Sequence, residues 1–562
     1  MAELLVEVRF QELPAELVPS FLRRFAGRIF EDLMSHGIPM DEMRTGGTVR
    51  RVAVSVTGLP DREADHEEVE IGPAVAEAWD DAGEPTSTLL DFAARVERDP
   101  DTLERQRTER GEMVIVRRPV AGRRIAEVLA ERLGRLLPDM PRASDGAIGD
   151  EAWPRPLTGW LAMVDGDPLD LELGGLIVER TTVAHPTLAP QPFEVAGWDD
   201  YIRGLTERGV VVGVKERVAA LASALDAAAA SVGGARAGTP RLVERSAAAC
   251  EIPGALAGAF DPAALDLPSE MVQAALAERQ QAFPVVGDDG QPMPFFVAAI
   301  DRPDDPTGRI RRGRERAVAG VLDDLRFFVE SDRRQPLAQR VRRLEQVTFH
   351  PGLGTYAEKG KRVARLAELV CGQLGWDAAA EAAFEATTLL DADLTTAVVA
   401  AYPSLRGLVG GLYAREEGYV ETVWRAIRDH VLPVGDGPIP SGRTSLAVAL
   451  ADRLDTLVGL LGVDDESAVV DDQRSPKPLA TGLLRLVVEG GMVLDLDLLA
   501  ARAVLLYGDR LARGSEELLR DLQALLDERL DHLLGQRDYA PDEIEATKAV
   551  GTRDLPDLIA RI

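Results

Sequence analysis

Cysteine, lysine, histidine and long apolar runs are all scarce in this 562-residue chain, and each shortage closes off a class of protein. Only Cys250 and Cys371 carry thiols, each in Ala-rich apolar surroundings. Two isolated thiols build neither a zinc knuckle nor a disulfide framework, so a reducing, cytoplasmic setting is expected. No stretch approaches the roughly 18 to 20 apolar residues that span a bilayer. The opening Met1-Ala2-Glu3-Leu4-Leu5-Val6-Glu7 has acids where a secretory signal needs basic residues, and no membrane association is expected. The six histidines (His36, His66, His185, His350, His430, His532) are too scattered for a His-Glu-x-x-His zinc site. An adjacent His-Asp pair, which a metal-dependent phosphohydrolase of the HD type uses to bring two ligands to one ion, occurs only reversed, as Asp429-His430 and Asp531-His532.

Nucleotide-binding signatures are absent too. A phosphate-cradling loop wraps backbone amides around phosphates and places a hydroxyl on magnesium, which requires Gly-x4-Gly-Lys-Ser/Thr. The nearest approach, Gly354 to Gly360-Lys361-Arg362, is one residue too long and has arginine in place of the hydroxyl. It reads as a helix start after a glycine turn. Asp452 and Asp455 lie at i,i+3 on a helix whose apolar face is Leu450, Leu454, Leu457 and Leu461. Without a histidine beside them they read as solvated or paired within their helix. No complete catalytic site, metal site or cofactor site is expected on this chain.

What the chain does have is acid. Its 94 Asp and Glu outnumber 64 Lys and Arg, for a formal charge of −30. That excludes indiscriminate coating of nucleic acid, but screening over ~8 Å leaves room for a local basic patch. The five lysines are Lys215, Lys359, Lys361, Lys477 and Lys548, so almost every cation is an arginine. The window Arg302–Arg343 holds twelve arginines against seven acids, and Arg309, Arg311, Arg312, Arg314 and Arg316 fall within two helical turns. On the next helix Leu337, Val341, Leu344 and Val347 form the expected buried stripe, which leaves Arg340, Arg342 and Arg343 facing outward. Arginines that neutralise phosphates release counterions, so such a patch would give salt-dependent RNA affinity.

The length suggests three to five domains at ~150 residues each. Leu4–Phe10 reads as a strand, Ala15–His36 as a helix with a Leu17, Phe21, Phe25, Ile29 stripe, and Val49–Leu59 as a second strand. Further strands are expected near Met113–Arg117 and Leu157–Asp165. Ala282–Val286 and Pro294–Ile300 flank Gly287–Gly290 as a hairpin. Beyond about residue 310 the pattern is almost purely helical, broken mainly at Pro433–Gly442. The expected fold is multi-domain α+β. It comprises an N-terminal α/β region (1–190), a helical connector (191–238), a mixed β-rich region (239–305), a long helical domain (306–500) and a last helical module (501–562).

In order, the local motifs resemble the β subunit of the tetrameric bacterial glycyl-tRNA synthetase. The strand before Glu12-Leu13-Pro14 is similar to that subunit's start, and Thr48-Val49-Arg50-Arg51-Val52-Ala53 to its Pro-Arg-Arg-Leu-Ala strand. Gly72-Pro73-Ala74, Ala78-Trp79-Asp80 and Gly83-Glu84-Pro85-Thr86 match a Gly-Pro-Ala…Ala-Phe-Asp…Gly-x-Pro-Thr segment. Phe283-Pro284-Val285 resembles a Tyr-Phe-Pro-Val strand. Arg326–Asp332 and Leu353-Gly354-Thr355 resemble the start of its helical domain. Ala451-Asp452-Arg453-Leu454-Asp455-Thr456-Leu457 is similar to its Ala-Asp-Lys-Leu-Asp-Thr-Leu helix, and Leu506-Tyr507-Gly508-Asp509 falls near its anticodon-binding module.

The resemblance implies a helical region of HD type, a partial anticodon-binding module and no adenylate chemistry on this chain. A separate class II α subunit would use glycine, ATP and Mg, while this chain holds tRNA(Gly) in an α2β2 assembly. Arg309, Arg311, Arg312, Arg314, Arg316, Arg333, Arg334, Arg340 and Arg343 then become candidate contacts to the tRNA backbone. Some family positions differ. Arg9-Phe10-Gln11 replaces Gly-Thr before the Glu-Leu-Pro, and Val183-Ala184-His185 stands for Arg-Gly-His. Basic or aromatic groups are missing at Leu276–Gln281, Val318–Leu322 and Ser475–Gly482. The alternative is a diverged relative that kept the fold but serves as an interaction or regulatory protein.

Overall fold

The computed structural model describes residues 1–63, 65–80, 83–108, 111–136, 155–173, 176–463, 475–537, 539–549 and 555–561. The parts of the expected 1–190, 306–500 and 501–562 regions that fall elsewhere lie outside the described residues. The fold is mixed α/β and forms two compact units. One comprises Met1–Ala259 with Gln281–Gly313, the other Phe260–Gln280 with Arg314–Ile562.

The first unit is built around β1 (Ala2–Phe10). Its near-continuous apolar run suits a strand buried on both faces, and it lies at the centre of a five-stranded antiparallel sheet. It pairs on one side with β3 (Arg51–Leu59), which in turn pairs with β2 (Glu42–Thr48), and on the other with Leu157–Val164. Leu4, Val6, Val8 and Phe10 face the helix Val18–Ser35, whose Phe21, Phe25, Ile29 and Leu33 recur at helical spacing. Leu5 on the opposite face joins Ala53, Leu161 and Met163 against Trp198, Tyr201 and Leu205 of the helix Trp198–Glu207.

That second face also carries charge. Glu7 is fully buried, one pleat along from Leu5. It accepts hydrogen bonds from Tyr201 Oη at 2.9 Å, Thr182 Oγ1 at 2.5 Å and Arg51 Nη1 at 3.2 Å. Arg51, 2% exposed, donates Nε to Glu251 at 3.0 Å and its remaining hydrogens to the carbonyls of Val183 and Ala184. Burial alone would weaken its charge, but Glu251 and Glu7 outweigh that and raise its pKa. Arg50 bridges Glu251 at 3.3 Å and Asp301 at 2.7 Å. Burial opposes ionisation of Asp301 as well. The backbone N–H groups of Ile252 and Glu251 and the Arg50 guanidinium still hold its carboxyl below the usual value.

Among the described residues four smaller sheets complete this unit: a three-stranded sheet, a four-stranded sheet and two two-stranded ones. Gly111–Val120 lies between His66–Ala74 and Glu104–Thr108, with Leu89 and Phe92 of the helix Ser87–Arg95 packed on Val114 and Val116. The expected hairpin is present as Ala282–Val286 and Pro292–Asp301, its second strand starting two residues earlier than read. Gly287 N donates to Gln291 O across the turn at 2.9 Å.

Among its described residues the second unit is helical apart from the short hairpin Thr348–His350 and Gly354–Thr355. Its central helix is Arg443–Leu461, buried at every position from Thr444 to Gly459. A helix apolar on so many sides must be surrounded, and Tyr356–Leu374, Glu421–Asp429, Pro476–Glu489 and Leu496–Tyr507 pack around it. No helix among the described residues is long and apolar enough to cross a membrane.

Replacing Arg51 by Ala would leave Glu7 and Glu251 buried without their shared cation. The expected loss is about 3–5 kcal/mol, read from urea unfolding of the first unit. A loss below about 1 kcal/mol, the range of exposed pairs, would show that the cation is dispensable.

Candidate nucleic-acid interface

The nine candidate arginines are not equivalent. The helix Arg309–Asp332 begins where Asp305 Oδ2 accepts from the Arg311 N–H at 2.8 Å, so a carboxylate satisfies an otherwise open first-turn donor. Arg309, Arg311, Arg312 and Arg316 are exposed along its first two turns. Arg312 donates back to Thr307 O at 3.0 Å, and half-buried Arg314 donates to Gln280 O at 3.0 Å. At the other end Arg333 forks onto Glu416 at 2.9 and 2.7 Å, and this hydrogen-bonded carboxylate raises its pKa. Arg334 and Arg343 are exposed, as is Arg342.

Arg340 corrects the sequence reading. It is 4% exposed and points inward, bonded to Asp332 at 3.2 Å and to the carbonyls of Asp332, Gln335 and Thr395 at 2.8, 3.1 and 2.9 Å. The segment makes one α-turn, Leu337–Arg340, and then tightens into the 3-10 helix Val341–Gln346. Arg340 lies three residues after Leu337 and four before Leu344, on the face that these two buried leucines share, so its side chain follows them inward. Asp332 holds the same corner by accepting from the N–H groups of Ala397 and Val398 at 2.9 and 3.0 Å.

Asp452 and Asp455 are also corrected. Neither is solvated or paired within its own helix. Asp455 is fully buried and accepts from Arg362 Nε and Nη2 at 2.7 and 3.1 Å, while Asp452 is bonded by buried Lys359. Lys359 and Arg362 are themselves i,i+3 on the helix Tyr356–Leu374, so two cations on one helix meet two carboxylates on another, rung by rung. Tyr507 Oη donates to Asp455, and the Arg362 guanidinium lies 3.9 Å from the Tyr507 ring.

The reversed His-Asp pairs do different work. Asp429 takes both hydrogens of the Arg428 fork, at 2.6 and 2.9 Å. His430, fully buried, places Nδ1 2.7 Å from Ile427 O and Nε2 3.5 Å from Asp391. Burial opposes the Asp391 charge, but Arg406 and His430 outweigh it and hold the carboxyl well below the usual range. Asp391 and Asp452 are therefore neutralised by side chains. Among the described residues no group of three or more His, Cys, Asp and Glu is arranged to hold a metal ion.

Gly354, at φ +93°, turns the chain into the helix Tyr356–Leu374, as the glycine pattern suggested. Thr355 and Glu358 form a reciprocal capping box at its start. That helix borders a groove of about 800 Å³ lined by Arg342, Lys361, Arg365, Phe384 and Arg510 among others. Sequence reasoning did not assemble this groove, whose walls come from five separate elements. The available signal was that two of only five lysines, Lys359 and Lys361, lie two residues apart.

The family model described as glycyl-tRNA synthetase beta subunit matches residues 4–549. This chain belongs to that family. Among its relatives, the glycine–tRNA ligase beta subunit of Anaeromyxobacter dehalogenans is 32% identical over 568 residues, covering 100% of this chain and 81% of the relative. That of Moorella thermoacetica is 32% identical over 561 residues, covering 98% and 81%. The Syntrophus aciditrophicus protein is 29% identical over 564 residues, covering 100% and 81%. Two of the motifs that carried the resemblance have internal roles in this chain. Arg50 and Arg51 hold the first unit together, and the Asp452–Asp455 helix is the core of the second.

Arg362→Ala would strand buried Asp455 and is expected to destabilise the second unit by about 3–5 kcal/mol. Arg333→Ala removes a pair whose side chains are 47% and 35% exposed, and should change stability by less than about 1 kcal/mol. Thermal melts of the two variants compare these costs. Equal losses would contradict the assignment of the ladder to the core.

Proposed function

We propose that this chain acts as the β subunit of a glycine–tRNA ligase. It binds tRNA(Gly) and positions its acceptor end for a separate class II α subunit, which uses glycine, ATP and Mg. The family match over residues 4–549 carries this reading. In this reading the chain binds no cofactor itself, works in the cytoplasm and joins α in an α2β2 assembly. The 306–500 region serves as an HD-type helical domain without its metal, and 501–562 as part of an anticodon-binding module. Its contribution to rate is orientation. Holding the acceptor end beside the adenylate turns a bimolecular encounter into an oriented one.

The exposed arginines Arg309, Arg311, Arg312, Arg316, Arg334 and Arg343 suit phosphate contacts, which fix register without reading sequence. Arg314 and Arg333 are already engaged by Gln280 O and Glu416. Arg340 is spent inside the fold.

Mixing the purified chain with its cognate α subunit, labelled glycine, ATP and tRNA(Gly) should yield glycyl-tRNA far above either protein alone. No charging, from an α preparation that is competent with another β subunit, would refute the reading. In a second test, Arg311→Ala with Arg312→Ala should lower tRNA affinity and reduce the slope of log K against log salt by about 2, near 0.9 per lost phosphate contact. An unchanged slope would remove these two residues from the interface.

A further inference from the structure

The groove beside the Lys359–Asp452 and Arg362–Asp455 ladder has a composition unlike the rest of this acidic chain. Its lining holds five cations against the two carboxylates Glu345 and Glu358. Arg362 is already taken by Asp455 and Arg510 by Glu358, which leaves the three cations Arg342, Lys361 and Arg365 against the one carboxylate Glu345. Among the described residues neither Arg342 nor Lys361 has an ion-pair partner. Arg365 pairs with Glu368, but both side chains are more than 60% exposed, so that charge stays available in water. Lys361 and Arg365 stand one turn apart on the same helix, about 6 Å along its axis.

Phe384, on the helix Asp377–Leu389, lines the same groove with 58% of its surface exposed. An apolar ring in water beside unpaired cations is costly unless something covers it, and no described residue does. A nucleic-acid base is a flat apolar face tethered to a phosphate, which matches a ring flanked by cations. A duplex cannot use the site, because its bases are already stacked on one another. Cations spread along a helical turn suit successive phosphates of a chain better than one compact phosphate group.

We propose that this groove binds an unpaired stretch of RNA, with a base stacked on Phe384 and neighbouring phosphates held by Lys361 and Arg365. Arg342 supplies further positive charge along the lining, while Arg510 is held by Glu358. The proposal deepens the tRNA-binding reading above and rests on it for the identity of the nucleic acid.

Fluorescence anisotropy of the full chain with a labelled single-stranded RNA octamer, and with the same sequence as a duplex, tests it. Phe384→Ala and Lys361→Glu should each raise the octamer Kd by about tenfold and leave duplex binding nearly unchanged. Octamer binding unaffected in both variants would overturn the proposal, as would displacement of the octamer by ATP at an affinity equal to the octamer's own. Both side chains are exposed. Should Phe384→Ala melt early, Lys361→Glu carries the test alone. Glycylation with α is measured in parallel. If charging fails while the octamer results hold, the ligase reading falls and the groove stands. If charging succeeds and both variants bind the octamer normally, the groove falls.

Discussion

The first unit depends on one guanidinium. Arg51 sits where β3, the Thr181–His185 strand and the segment at Glu251 converge on β1, and it bonds to all of them. Two buried carboxylates on a single cation would be unstable alone. Thr48, Thr182 and Tyr201 donate the hydrogen bonds that complete the oxygens, and Arg50 adds a second positive charge. Such a network contributes more to specificity than to net stability, because desolvation consumes much of the Coulombic gain. It fixes register as well. Glu7 is aligned with Ala53 on a sheet buried on both faces, and a slip of one residue would drive the carboxylate into the Phe21–Phe25 core.

The helical unit solves the same problem differently. There the charges are arranged as repeating rungs, Lys359 to Asp452 and Arg362 to Asp455, set by the i,i+3 spacing of two helices. Each rung locks rotation and translation of one helix against the other, a discrimination that the surrounding leucines cannot provide. The Arg443–Leu461 helix is apolar enough to slide, with Leu450, Leu454 and Leu457 presenting similar surfaces. Asp452 and Asp455 give it one seat.

Local patterns were legible where local physics decides. The Leu4–Phe10 run, the Phe21-Phe25-Ile29 stripe and the Ala282–Val286 hairpin all follow from apolar period and turn chemistry. What escaped was decided at a distance. Asp452 and Asp455 look like solvent-facing acids until partners 93 residues away are brought to them. Arg340 shares a helical face with Leu337 and Leu344, but a charged residue there reads as outward until Asp332 and three carbonyls are brought to it. The groove required five elements at once, and no single segment advertises it. Family motifs conveyed the chain's kinship early, yet the same residues proved to be internal struts, so kinship and contact surface had to be separated by structure.

The burial of Lys359 bears on how amine chemistry would act on this molecule. With five lysines in 562 residues and one sealed against Asp452, acylation has only Lys215, Lys361, Lys477 and Lys548 to reach, besides the N-terminus. Lys215, Lys361 and Lys477 are exposed, Lys548 is partly buried against Asp531, and Lys361 alone of the four lines the groove. An acyl group there would erase a charge from a surface that already has few to spare, while leaving the load-carrying rungs beneath it intact. The arginine-for-lysine bias thus shelters the fold from lysine acylation and concentrates any such mark at a handful of addresses, one of them beside Phe384.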